Sequence, residues 1–76
     1  MDLQSFIFNF AFLFDESDAS DFFPETQFHN LDEWSSLNAL AIMNMINMKY
    51  GIHISPEEMR IANTIQELFD LVKSKK

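Results

Sequence analysis

Gly51 is the only glycine in the chain, and Pro24 and Pro56 are its only prolines. Turns and breaks draw heavily on these two residue types, so a chain this poor in them has few places to reverse and reads as a succession of helices. The first segment carries two competing periods. Phe6, Phe8, Phe10, Phe12 and Phe14 alternate as a half-buried strand would. Leu3, Phe6, Ile7, Phe10, Leu13 and Phe14 instead follow the i, i+3, i+4, i+7 spacing of an amphipathic helix, with Asp2 placed to favour its N-terminus. A lone strand in a helical chain would leave its edges unpaired, so a first helix over about residues 2–14 is expected. Phe8 and Phe12 then share a second face, where they would cover loop aromatics or form a self-association patch.

Residues 15–34 lapse into Asp, Ser, Pro and Thr with scattered aromatics. That is long for a structureless connection, and Phe22, Phe23 and Phe28 are expected to pin it down. A second helix over about residues 36–50 stops at Gly51, the natural residue for a left-handed cap. Its Ala39, Ile42, Met43, Ile46 and Tyr50 form one apolar stripe, while Leu37, Leu40, Ala41 and Met48 form a second one interrupted by Asn44. After an extended link through Ile52, His53 and Ile54, the residues Ser55, Pro56, Glu57 and Glu58 spell a capping box with proline at the first helical position. A short third helix over about 56–61 follows. Thr64 and Glu67 repeat the box spacing, and Ile65, Leu68, Phe69 and Val72 give a last helix, over about 65–73, its buried face. The fold class is therefore all-α: a small four-helix bundle with a short third helix, in a single domain.

A chain of 76 residues has little hydrophobic surplus. A deep cleft lined by unpaired polar groups is hard to sustain at that size, so no enzyme activity is expected. The absence of cysteine leaves neither disulfides nor a thiolate metal site, and fits a reducing cytoplasm. His29 and His53 lack any paired ligand spacing, so no metal is expected; both read as ordinary surface or edge residues. A net charge of −7 repels phosphate backbones, which argues against nucleic-acid binding. The apolar stretch from Phe6 to Phe14 is far short of the roughly 20 residues that span a bilayer. Eight acids and no Lys or Arg precede Ser35, and this run reads either as a solvated loop or as a surface that steers basic partners.

One stretch, LDEWSSLNAL over Leu31 to Leu40, carries a long acidic loop into a helix that opens with a serine pair. There the chain resembles the acyl carrier protein family, whose marker is Asp-Ser-Leu at the start of the second helix, here Ser35, Ser36 and Leu37. The resemblance covers essentially all of residues 1–76: a first amphipathic helix, an acidic loop, YGIHI after helix two, SPEE opening helix three, and ANTIQELFDLV as helix four. It implies that Ser36 receives 4′-phosphopantetheine from coenzyme A through a separate phosphopantetheinyl transferase. The arm would carry acyl intermediates of a fatty acid, polyketide or specialised lipid pathway as thioesters to acyl-transferring or chain-elongating enzymes. A helix N-terminus suits the attached phosphate, although serines also stand there simply as caps.

The resemblance further implies docking of partners at Leu37, Leu40, Asn44, Asn47 and Met48, and lining of a sheltered acyl chain by Ile42, Met43, Ile46 and Ile61. Core packing would account for the lining residues and for Met48 equally well. A cytoplasmic monomer with no membrane span is expected. Two departures from the family pattern stand out. Ser35 replaces the acidic residue before the modified serine, and the stretch from Trp34 to Pro56 contains no acid and one base, Lys49. The alternatives are an unmodified carrier-like helical interaction module and an aminoacyl or peptidyl carrier.

Overall fold

In the computed structural model, which describes residues 2–14 and 19–76, the four expected helices form: α1 over Leu3–Ala11, α2 over Ser36–Tyr50, α3 over Pro56–Ile61 and α4 over Ile65–Ser74. Short 3₁₀ turns at Ala19–Asp21 and Phe28–Asn30 punctuate the loop between α1 and α2. Asp15, Glu16 and Asp18 of the acidic run lie outside the described residues. Among the described residues no helix is long and apolar enough to cross a membrane.

The helical period prevails in α1, where Phe6, Ile7, Phe10 and Ala11 are buried. Asp2 caps it by accepting from Ser5 N, and the hydrogen bonds from the Ser5 hydroxyl and amide hold its carboxyl below the usual Asp range. The helix is shorter than expected. Beyond Ala11 the chain tightens to i, i+3 bonds, Leu13 N to Phe10 O and Phe14 N to Ala11 O, and this turn still delivers Phe14 into the core. Phe8 and Phe12 stay exposed with their rings 6.4 Å apart, so they do not cover the loop aromatics.

The loop is held to the bundle at two levels. Phe22 and Phe28 bury against Phe10, at ring distances of 6.1 and 5.4 Å, whereas Phe23 remains exposed and does not help to pin the loop. The loop backbone also serves α4. Thr26 O accepts from Ile65 N at 3.2 Å and Pro24 O from Gln66 N at 2.9 Å, satisfying first-turn amides that have no acceptor within their own helix. This arrangement modifies the second capping box. Thr64 Oγ1 accepts from Glu67 N, but the Glu67 carboxylate returns to Asn63 N, one residue earlier than a full box requires.

Gly51 closes α2 at φ 69°, with its N–H on Asn47 O at 3.0 Å. Only glycine adopts this left-handed geometry without strain. At α3 both bonds of the Ser55 and Glu58 box are made. The second Glu58 oxygen accepts from Lys75 Nζ at 2.8 Å, tying α3 to the end of α4. The Lys75 ammonium first, and then the Ser55 amide, hold the Glu58 carboxyl down at about 2, from an ordinary value of 4.5. A depressed carboxylate stabilises the fold above its unfolded pKa, and that contribution fades as pH falls from 4.5 toward 2. Glu58→Gln keeps an acceptor for Ser55 N and loses only the charge. Melting temperatures measured from pH 6 to pH 2 are expected to converge for the two proteins in that acid window and to favour the wild type above it. Parallel curves would reject the Lys75 pairing.

Candidate serine attachment site

The site is built around the entry to α2. Trp34 N bonds Leu31 O at 3.0 Å in the turn before the helix. The Trp34 ring packs on Phe28 and His29, at centroid distances of 5.1 and 5.0 Å, which fixes the height at which the chain enters. Ser35 is extended, at φ −156° and ψ 172°, and is the N-cap. Its hydroxyl donates to Asn38 Oδ1 at 2.8 Å and accepts from Asn38 N at a long 3.4 Å. The capping role therefore falls on Ser35, which leaves Ser36 free of it. Ser36 is exposed, and its Oγ has no hydrogen-bond partner among the described residues.

A third element faces Ser36 because of one histidine. His29 Nε2 lies 3.0 Å from both Met59 O and Ala62 O, at the C-terminal end of α3. With both partners carbonyls, the ring nitrogen must carry the proton and donate to each. This bond holds the loop against α3 beside an open hollow of about 390 Å³ bordered by His29, Trp34, Ser35, Ser36, Met59 and Arg60. The hollow shares Ser36, Ala39, Pro56 and Met59 with a second of about 310 Å³, which in turn shares Leu40, Met43 and Pro56 with a third of about 330 Å³ reaching Asn47 and His53. Together they form an apolar trough between α2 and α3, with Ser36 near one end and amide and imidazole groups at the other. Arg60 at the Ser36 end is paired with Glu57.

The sequence-derived candidates divide clearly. Ser36, Leu37, Leu40, Asn44, Asn47 and Met48 all lie exposed on α2. Of the four lining candidates, only Met43 borders the trough. Ile42 and Ile46 are fully buried in the core. Ile61 is 65% exposed and edges a separate hollow between α3 and α4, so it does not join the other three. Trp34, His29, Ala39, Pro56 and Met59, none of them singled out for this role, supply the remaining walls. Pro56 and Met59 were accessible in principle, since the capping box fixes where α3 begins and hence which side chain follows one turn later. No family model matches the chain, and no curated protein or solved structure matches it.

Proposed function

We propose that this chain is an acyl carrier protein, with 4′-phosphopantetheine attached to Ser36. The observation that carries the reading is the Ser36 hydroxyl: exposed at the start of α2, without a hydrogen-bond partner among the described residues, and at the end of an apolar trough. The LDEWSSLNAL motif and the order of four helices with a short third one support the same reading. In the modification, Ser36 Oγ forms a bond to the phosphorus of coenzyme A that bears the pantetheine. The phosphoanhydride bond breaks, adenosine 3′,5′-bisphosphate leaves, and the serine proton passes to a base of the transferase. First-turn amides of α2 have no acceptor within the helix, and with the helix dipole they favour the resulting phosphodiester. Once attached, the arm supplies a mobile thiol able to hold an acyl group as a thioester. Ala39, Met43 and Met59 offer an apolar bed beside it. The carrier presents its cargo to partner enzymes and catalyses nothing itself; we place it in the cytoplasm.

Intact mass spectrometry tests the assignment. Protein purified from the cells that make it is expected to be heavier than its sequence by one phosphopantetheinyl group, and Ser36→Ala is expected to lose the whole increment. Ser35→Ala, which removes the two hydrogen bonds between the Ser35 hydroxyl and Asn38 but leaves the Ser36 hydroxyl in place, is expected to keep it. A wild type whose mass matches its sequence, with no increment for Ser36→Ala to lose, would favour the second reading, an unmodified helical adaptor. That alternative is motivated by Ser35 standing where the family has an acidic residue.

A further inference from the structure

The methionines among the described residues differ sharply in exposure. Met45 and Met59 are 6% and 2% exposed, Met43 is half-buried at the edge of the trough, and Met48 is 76% exposed in the last turn of α2. Asn44 stands one turn earlier on the same side of the helix, and its side-chain amide donates from Nδ2 to Met48 Sδ at 3.5 Å. A thioether accepts hydrogen bonds and donates none, so the NH₂ end of the amide is the end that faces the sulfur. This bond occupies one of the two lone-pair directions of the sulfur. The other is left open on an exposed side chain.

From this pairing we infer that Met48 is a modification site: hydroperoxides oxidise it ahead of Met43, Met45 and Met59, and Asn44 sets the hand of the sulfoxide that forms. The open lone pair of Met48 Sδ attacks the terminal peroxide oxygen, so that an S–O bond forms as the O–O bond breaks. The thioether is oxidised by two electrons and the peroxide is reduced. The departing oxygen takes the proton of the transferred one and leaves as water, or as an alcohol from an organic hydroperoxide. Addition on the side away from Asn44 gives one sulfoxide epimer in excess. Each epimer is reduced by its own reductase, so the Asn44 bond also selects which enzyme restores the thioether. The product puts a polar, chiral group on the surface of α2, while burial spares Met45 and Met59 in the core. None of this rests on Ser36.

The test treats the folded chain with hydrogen peroxide and follows the gain of one oxygen at each methionine by tandem mass spectrometry of its peptides. Met48 is expected to oxidise about tenfold faster than Met45 and Met59, with Met43 between them. The oxidised peptides are then divided between two reductases, each specific for one sulfoxide epimer. One enzyme is expected to remove about threefold more of the Met48 oxygen than the other, the bias that a hydrogen bond at the surface supplies. Asn44→Asp keeps the shape of the side chain and replaces the donor by an acceptor, and Asn44→Ala removes the group altogether. In both, the epimer ratio is expected to fall toward one and Met48 to oxidise faster. Oxidation of all these methionines at similar rates would overturn Met48 as the site. Equal epimers in the wild type, or an excess that survives in both Asn44 variants, would overturn the role of Asn44.

Discussion

Phe28→Ala is expected to unfold much of the population at 37 °C, or to lower the melting temperature by about 15–30 °C. The side chain is fully buried and touches three aromatic rings: Phe10 at 5.4 Å, Trp34 at 5.1 Å and His29 at 4.5 Å. Truncating a buried phenylalanine costs about 3–5 kcal/mol through lost transfer energy and the residual cavity. A domain of this size has a total stability of only about 4–11 kcal/mol, and each kcal/mol moves its melting temperature by about 4–8 °C. Phe8→Ala is the control, since the Phe8 ring is exposed and meets Phe12 outside the core. Its expected cost is within about 0.5 kcal/mol. Thermal or urea melts of the two variants measure the difference, and similar losses would mean that the core is not organised around Phe28. Because Phe28 supports Trp34, which fixes the entry to α2, the variant is also expected to disturb the setting of Ser36.

The contrast between Phe28 and Phe8 shows what could be read from the chain and what could not. Alternation and helical spacing both fit residues 6–14, and the argument against a lone strand chose correctly between them. Gly51, Ser55 and Pro56 marked the end of α2 and the start of α3, and the serine pair placed the start of α2 to within a residue, because caps and a left-handed glycine act through local geometry that the sequence displays. Helical periodicity marked Leu37, Leu40, Ala41 and Met48 as a second apolar stripe of α2, but it was the resemblance to the carrier family, not the periodicity, that read Leu37, Leu40 and Met48 as outward-facing. Met45 was missed because it lies between two apolar stripes, and it is buried because α2 is covered over a broader arc than either stripe suggested.

What eluded the sequence was non-local. The bonds from His29 to Met59 and Ala62 span 30 and 33 residues, and those from the amides of α4 to Pro24 and Thr26 are also between distant segments. No periodicity announces such pairings. The far wall of the trough depends on them, which is why the α2 side of the site was anticipated and the loop and α3 sides were not. Ile61 illustrates the same gap. Its place at the end of α3 was right, but the rotation of that short helix was set by Met59 and Ala62 turning inward and by the His29 bond.

His29 can be tested separately from the aromatic packing. A helix leaves its last carbonyls without intrahelical donors, and in α3 the two that His29 reaches, Met59 O and Ala62 O, are served by one ring N–H. Leucine in its place fills much of the same space and donates nothing, so lost hydrogen bonding should dominate. Leaving a buried acceptor unmet costs about 1–3 kcal/mol, and because His29 is only half-buried a cost of about 2 kcal/mol is expected for His29→Leu. That corresponds to a fall of about 8–16 °C in melting temperature. His29→Gln retains an N–H donor and is expected to recover part of the loss. Hydrogen exchange gives the reading that a general packing defect would not. The amides of Met59 and Ala62, bonded to Ser55 O and Glu58 O, should exchange faster relative to those of α4 in His29→Leu, because α3 has lost its tie to the loop. If α3 and α4 are accelerated equally, the histidine contributes to global stability without specifically holding α3 beside Ser36. If α3 loosens first, one imidazole determines how open the trough beside Ser36 stands.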